Sequence, residues 1–153
     1  MLLAVFSDTH GVTERMYDVV EDHHPDIVLH LGDHARDAEE LAQFYPALDV
    51  RFVRGNCDYG SDAPEVLELR ADKLAIFATH GHRYNVKYTL DSLINAAGFS
   101  GARLALFGHT HQREYKTVGG LTLLNPGSAG MGRQSCALIT VKGEDFQCKL
   151  LDL

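Results

Sequence analysis

Basic residues are few in this sequence. It has 14 Lys and Arg against 21 Asp and Glu, which gives a formal net charge of -7 at pH 7. Nucleic acids and anionic membranes bind protein surfaces on which Lys and Arg are clustered. We therefore expect neither a nucleic acid nor a membrane as partner. Any attraction for a phosphate group must be local, and bound metal ions can provide it.

Cysteine is also scarce, and long apolar runs are missing. The three cysteines, Cys57, Cys136 and Cys148, are odd in number and fit no zinc-site spacing. Free thiols in a reducing compartment are therefore the expected state. The apolar start, residues 1–6, lacks a basic leader and is too short for a signal peptide or a membrane span. We expect a cytoplasmic protein whose chain opens with a strand.

The length and the apolar pattern predict one α/β domain over residues 1–153, with no linker or repeat. In the first half, strand-like runs alternate with helices predicted over 13–22 and 37–44, which favours right-handed crossovers and a parallel sheet. In the second half, two hairpins are predicted, with turns at 71–73 and at 119–120. A third helix is predicted over 88–97, with Gly98 as its C-cap. The pattern indicates two packed sheets with helices outside.

Five short polar clusters carry most of the information about function. Each follows an apolar, strand-like run, and they are Asp8-Thr9-His10, Gly32-Asp33, Gly55-Asn56-Cys57-Asp58, Thr79-His80-Gly81-His82 and Gly108-His109-Thr110-His111. A parallel sheet places the carboxyl ends of its strands at one edge, where open α/β folds build their ligand sites. The clusters would then converge, and their oxygen and imidazole nitrogen donors suit a pair of divalent transition metals.

The types of donor suggest how two metals would be held. Asp8 and His10 leave the first strand together, and Asp33 leaves the second strand beside them. A carboxylate has two oxygens and can bridge two cations, so Asp33 is the natural bridge. The alternative for either aspartate is a helix N-cap, since each precedes a predicted helix. The spacing of His109 and His111 sends both side chains to the same side of an extended segment.

In this order and spacing the clusters resemble those of the calcineurin-like metallophosphoesterases, in particular the small single-domain branch that has GNCD where larger phosphatases have GNHD. The resemblance extends from Asp8 to Asn125-Pro126-Gly127-Ser128. It implies a four-layer α-β-β-α sandwich of two mixed sheets flanked by helices. It also implies two metal sites, one formed by Asp8, His10, Asp33 and His111 and the other by Asp33, Asn56, His80 and His109.

The resemblance further implies attack on phosphorus by a hydroxide held between two divalent transition-metal ions. Nitrogen-rich ligation favours Mn, Fe, Ni, Co or Zn over Mg, and Mn is our first choice. Besides Asp33, the catalytic candidates are Asn56, whose NH2 group can point to a phosphate oxygen, and His82. His82 would either contact the substrate phosphate or orient His80.

Four further positions carry expectations. At Cys57 the GNHD motif has a histidine that is thought to protonate the leaving group, and a thiol is a poor substitute acid. Asp58 would hold a loop or pair with Arg54. Ser128 is expected first as part of a turn that ends a strand, although the resemblance places it near the site. His34 lies next to Asp33 and is a candidate for contact with the substrate.

The function expected from these features is metal-dependent hydrolysis of a small phosphate ester, with a phosphodiester preferred. One alternative is a phosphomonoesterase or pyrophosphatase with the same centre. Another is a protein-binding scaffold that resembles Vps29 and has little activity. The presence of every expected metal ligand favours catalysis over the scaffold. The sequence also allows a homo-oligomer.

Overall fold

The computed structural model describes all residues from Met1 to Leu153. Its first half alternates strands and helices as β1 (Leu2–Phe6), α1 (Glu14–His23), β2 (Ile27–His30), α2 (Ala35–Phe44) and β3 (Asp49–Phe52). The strands β1, β2 and β3 pair in parallel. The predicted β-α-β arrangement of the first half is therefore confirmed.

The second half is mostly strand. It contains β4 (Val66–Ala71), β5 (Leu74–Thr79), a 3-10 turn (His82–Tyr84), α3 (Asp91–Phe99), β6 (Leu104–Leu106), β7 (Arg113–Val118), β8 (Leu121–Pro126), β9 (Ser135–Lys142) and β10 (Asp145–Asp152). Both predicted hairpins are present, since β4 pairs antiparallel with β5 and β7 with β8.

The strands form two five-stranded mixed sheets. The first has the order β10-β9-β1-β2-β3, because β9 returns to lie antiparallel beside β1 and β10 pairs antiparallel with β9 at the edge. The second has the order β4-β5-β6-β8-β7, with β5, β6 and β8 parallel. Each sheet therefore has three adjacent parallel strands, with antiparallel strands on one side of them in the first sheet and on both sides in the second.

Alternation along the strands builds four layers. On β1, Leu3 and Val5 face the second sheet in a core of 17 buried residues, while Ala4 and Phe6 face the helices α1 and α2. The outer face of the second sheet packs on α3, for example through Leu93. Full burial of a large apolar side chain contributes about 1.5–3 kcal/mol. The four-layer sandwich is confirmed. One apolar core lies between the two sheets, and one lies between each sheet and its helices.

The end of α3 differs from the prediction. Gly98 lies inside the helix, which continues to Phe99, and Gly101 adopts the left-handed conformation with φ 75°. The amide of Ala102 donates to the carbonyl of Ala97 at 3.0 Å, and that of Gly101 donates to Gly98 at 3.1 Å. This pair of bonds is the Schellman arrangement, which favours glycine at the position after the C-cap. The C-cap is Ser100, so the prediction of Gly98 as C-cap is wrong by two residues.

The start of α2 also differs, since the helix begins at Ala35 rather than at residue 37. None of the helices has the length and apolar character required to cross a membrane.

Candidate metal centre

The seven predicted metal ligands meet where the two sheets adjoin. Asp8 and His10 follow β1, Asp33 follows β2, and Asn56 follows β3 of the first sheet. The second sheet contributes the histidines that follow β5 and β6, namely His80, His109 and His111. The structure brings all of them to one edge of the sandwich, as the carboxyl ends of parallel strands require.

The backbone at this edge is strained. Six residues other than glycine here have a positive φ, between 47° and 74°, and they are Asp8, His10, Asp33, His34, His109 and His111. Only three such residues occur elsewhere in the chain. Left-handed backbone is unfavourable for residues with a Cβ, and it persists where the surrounding structure imposes it, often at functional sites. The left-handed turns direct side chains of neighbouring residues into one space.

Two glycines allow the loops to approach each other. Neither Gly55 nor Gly108 has a positive φ, so backbone freedom does not explain them. A Cβ on Gly108 would collide with Oγ of Ser7, and one on Gly55 would collide with Oδ1 of Asp33. The glycines of the two motifs are therefore explained by close packing against the loops that carry the aspartates.

The first donor group consists of Asp8, His10 and His111, whose ligand atoms lie within 4.8 Å of one another. Oδ2 of Asp8 accepts hydrogen bonds from Oγ of Ser7 at 2.5 Å and from the amide of His109 at 3.1 Å. Oδ1 of Asp8 lies 3.2 Å from Nε2 of His111 but accepts no hydrogen bond, and Nε2 of His10 also has no partner. Buried polar atoms without partners are rare. A cation would satisfy both.

The second donor group consists of Asp33, His80 and His109, again within 4.8 Å. Nδ1 of His80 lies 2.8 Å from the carbonyl oxygen of Leu31, which can only accept, so Nδ1 carries the proton. Nε2 of His80 then has a free lone pair, and it lies 3.1 Å from Oδ1 of Asn56. Burial lowers the pKa of His80 to about 4, so the imidazole is neutral near pH 7. A neutral, oriented imidazole is the form that binds a metal.

Asp33 lies between the two groups. Its Oδ2 is 3.9 Å from Nε2 of His10, and its Oδ1 is 3.5 Å from Nε2 of His80. The amide of Cys57 donates to Oδ1 at 2.9 Å and fixes the carboxylate. One oxygen of Asp33 therefore faces each donor group.

Burial changes the proton affinity of several groups. It raises the pKa of Asp8 to about 6, which opposes its ionisation. It lowers the pKa of His109 and His111, and the nearby Lys87 lowers both further. Burial likewise lowers the pKa of His82. The histidines are thereby kept neutral, as metal ligands must be.

Asp58 has a role that sequence reasoning found only in part. Its Oδ2 accepts from the amides of Asp33 at 2.9 Å and Gly55 at 2.7 Å, and its Oδ1 accepts from those of His34 at 2.8 Å and Ala35 at 2.9 Å. Asp58 thus holds the loop and caps α2 from a distant position, which explains why the helix begins at Ala35. Neither Asp8 nor Asp33 is the N-cap.

Arg54 does not pair with Asp58. Its guanidinium contacts Glu65 at 2.9 Å, and Arg83 contacts the same carboxylate at 2.7 Å. The proposed pairing of Arg54 with Asp58 is therefore wrong, because the oxygens of Asp58 are already occupied by backbone amides.

Ser128 supports the site from behind. It is fully buried, and its Oγ donates to the carbonyl of Asp8 at 2.7 Å and accepts from the amide of Met131 at 2.8 Å. Asn125 is also buried and donates to the carbonyl of Gly108 at 2.9 Å. Ser128 thus lies behind the loop of Asp8, with its Oγ bonded to backbone groups on both sides. Both residues position the loops that carry donors.

Three other side chains border the donors. The ring of His82 lies 5.4 Å from that of His80, centroid to centroid, and the ring of His34 lies 5.8 Å from that of His10. Sγ of Cys57 lies within 4.8 Å of ligand atoms of His10 and Asp33. Burial and the neighbouring Asp33 raise the pKa of Cys57 to about 11. The thiol therefore stays protonated, although its side chain is exposed.

Comparison with known proteins agrees with this geometry. The family model described as the calcineurin-like phosphoesterase superfamily domain matches residues 1–144. The chain belongs to this superfamily. The resemblance seen in the motifs is thereby confirmed.

Relatives in other organisms cover almost the whole chain. The probable metallophosphoesterase YsnB of Bacillus subtilis is 31% identical over 159 residues, covering 99% of this chain and 91% of YsnB. A phosphodiesterase of Methanocaldococcus jannaschii is 24% identical over 149 residues and covers 83% of each protein.

Solved structures show the same fold. A Streptococcus pneumoniae protein described as a predicted phosphoesterase has a TM-score of 0.85 and 27% identity, covering 99% of this chain and 88% of its own. Vps29 of Entamoeba histolytica, complexed with zinc, has a TM-score of 0.80 and 22% identity and covers 99% of each chain. At 22% identity the likeness to Vps29 concerns the fold alone.

Proposed function

We propose that the protein is a phosphodiesterase whose seven donor residues hold two divalent transition-metal ions. Asp8, His10, Asp33 and His111 would bind one ion, and Asp33, Asn56, His80 and His109 would bind the other. The observation that carries this proposal is the position of Asp33, which turns one carboxylate oxygen towards each donor group. A shared carboxylate is how two adjacent cations are commonly bridged.

The chemistry of the donors supports transition metals. Oδ1 of Asp8 and Nε2 of His10 are buried without hydrogen-bond partners, and a cation would satisfy them. Imidazole nitrogens outnumber carboxylates, which favours Mn, Fe, Co, Ni or Zn over Mg, with Mn as the first candidate. When bound, two such ions would activate water for attack on phosphorus and stabilise the charge of the transition state.

The chain itself contributes position and charge. Asp33 would fix the distance between the two donor groups because the amide of Cys57 holds its carboxylate. The exposed Asn56 can coordinate a metal through Oδ1 and donate a hydrogen bond from its NH2 group to a phosphate oxygen. His82, half-buried beside His80, would contact the same phosphate or restrict the ring of His80. In an acidic chain, attraction for phosphate would thus be confined to this edge.

Two alternatives share parts of this evidence. A phosphomonoesterase or pyrophosphatase would use the same donors, and the relative named as a phosphodiesterase favours diesters. A protein-binding scaffold would have the same fold, which this chain shares with Vps29. The convergence of all seven donors and the unpartnered buried atoms favour catalysis over a scaffold.

The test combines metal analysis with paired substrates. Metal-saturated protein should contain two ions per chain, and it should hydrolyse bis(4-nitrophenyl) phosphate faster than 4-nitrophenyl phosphate. Faster hydrolysis of the monoester would favour the first alternative. A protein that binds metal but hydrolyses neither ester would favour the scaffold.

Variants test the bridge. Asp33→Asn should lower activity far more than His82→Ala, because loss of the bridge disturbs both ions and loss of His82 disturbs one contact. His23→Ala, an exposed histidine at the end of α1, is the matched control and should behave as native. Equal activities of the Asp33 and His82 variants at saturating Mn would contradict the assignment.

A further inference from the structure

A large cavity adjoins the candidate metal centre. It has a volume of about 820 Å³ and lies between the start of α2 and the loop of residues 57–64. His34 and Cys57 line it, and both border the donors, His34 through its ring contact with His10 and Cys57 through Asp33. The cavity is therefore directly adjacent to the proposed metal ligands. Its volume falls within the range of small-molecule sites.

Its wall combines apolar side chains with an exposed aromatic ring. Ala35, Phe52, Pro64 and Leu67 contribute apolar surface. Tyr59 also lines the cavity, and 92% of its surface is exposed, with no other aromatic ring stacked on it. A flat ligand stacked on this phenol would bury apolar area on both partners, which is the usual role of exposed aromatic rings in binding sites.

Both arginines that line the cavity are already paired with carboxylates. Arg36 contacts Glu40 at 3.1 Å, and Arg51 contacts Asp49 at 2.7 Å. Asp62 adds a negative charge to the wall. A second phosphate or a polynucleotide strand would meet no unpaired arginine here. The cavity suits an uncharged group.

We propose that this cavity binds one organic substituent of the phosphodiester substrate, and that this substituent is an uncharged aromatic or heteroaromatic group that stacks on Tyr59. The inference rests on the proposed function, because it places the phosphorus at the donor residues. It narrows the substrate class to aryl or nucleoside phosphodiesters and makes Tyr59 a specificity-determining residue.

The experiment measures binding and turnover separately. Phenyl phosphate and methyl phosphate are titrated calorimetrically into the Mn-loaded protein, and KM and kcat are measured for bis(4-nitrophenyl) phosphate. Tyr59→Ala should weaken phenyl phosphate binding by roughly 5-fold or more, as loss of a stacking ring does. Methyl phosphate binding should stay within twofold of native. KM should rise with little change in kcat.

Two control variants isolate the ring and its place. Tyr59→Phe keeps the ring and should bind both probes as native protein does. Tyr88 is also a tyrosine with 90% of its surface exposed, and it does not line the cavity, so Tyr88→Ala should change nothing.

Each contrary result has one meaning. Equal weakening of both probes in Tyr59→Ala, an equal effect of Tyr88→Ala, or native protein that binds phenyl phosphate no more tightly than methyl phosphate would overturn the cavity proposal. Failure of the native protein to bind either phosphate would overturn the proposed function on which it rests. Hydrolysis of diesters that is insensitive to Tyr59 would also overturn it and would leave the proposed function standing. Tyr59-dependent binding without any hydrolysis would support the cavity and overturn the proposed function.

Discussion

Asp8 combines a structural cost with a proposed metal-binding role. Its pKa rises from 3.8 to about 6 because the carboxylate is buried. The folded metal-free protein therefore holds this proton more tightly than the unfolded chain. The resulting contribution to stability is complete below about pH 4 and is lost as the pH rises through about 6. An ionised Asp8 without a cation costs on the order of 3 kcal/mol.

We predict that Asp8→Asn stabilises the metal-free protein at pH 7 by about 1–3 kcal/mol while weakening metal binding. The amide oxygen can accept from Ser7 and from the amide of His109, and the NH2 group can donate to Nε2 of His111, 3.2 Å away from Oδ1. Urea unfolding of chelator-treated protein measures the gain, which should disappear near pH 4. Asp22→Asn, at an exposed position, should be neutral. A less stable Asp8→Asn protein at pH 7 would refute this account.

Cys57 should make the reaction depend steeply on the leaving group. A thiol with a pKa of about 11 is a weak general acid, so the departing oxygen must carry most of its own charge. Rates across a series of aryl phosphodiesters should fall sharply as the pKa of the phenol rises. Cys57→Ser should show the same slope. A native enzyme that is insensitive to this pKa would show that another group supplies the proton.

Replacing Cys57 by histidine should restore less than the GNHD motif suggests. A positioned acid contributes roughly 100-fold or more, but position requires a partner for the imidazole. Asp58 already accepts four backbone amides and has no oxygen left to hold the ring. We therefore expect Cys57→His to flatten the leaving-group dependence only slightly. A gain near 100-fold for poor leaving groups would show that Asp58 can be recruited.

Glycine is required by close packing at Gly108 but not at Gly98, and two alanine substitutions test this difference. Gly108→Ala places a Cβ against Ser7 and Asp8, so it should displace the β1 loop and weaken metal binding. Gly98→Ala lies in open space within α3 and should stabilise the protein by about 0.5–1 kcal/mol. Calorimetric metal titration and urea unfolding of both variants are the measurements. A neutral Gly108→Ala would show that the loops separate easily.

The strands and donor clusters were predictable because their signals are local. Apolar runs followed by Asp, Asn or His identify both the strand and the side chains at its end, and the turn between β7 and β8 carries two glycines. The start of α2 was not predictable, because it depends on Asp58, which lies 23 residues beyond Ala35. The role of Ser128 was hidden for the same reason, since its partner Asp8 lies 120 residues away. Contacts at such separation have no periodic signature.

The two sheets share the candidate metal centre, so bound metals should hold the sheets together. The first sheet supplies Asp8, His10, Asp33 and Asn56, and the second supplies the three remaining histidines. Ions that bind only when both sets are in place stabilise the folded state by about 2.7 kcal/mol at 100 times the dissociation constant. Mn should raise the thermal midpoint, and a chelator should reverse the rise. The Asp33→Asn protein should gain much less, and an equal gain would argue that Mn binds elsewhere.

The hydrogen bonds of Asp58 determine whether the N-terminus of α2 can bind an anion. Helix N-termini beside the carboxyl end of a sheet are ready anion receptors in many α/β proteins. In this protein the amides at the N-terminus of α2 already donate to the carboxylate of Asp58. An incoming phosphate finds that place taken, and the net charge of the chain repels it. If the proposed centre binds metals, affinity for phosphate would depend on those ions, and a phosphate-binding curve would report the fraction of molecules that carry metal.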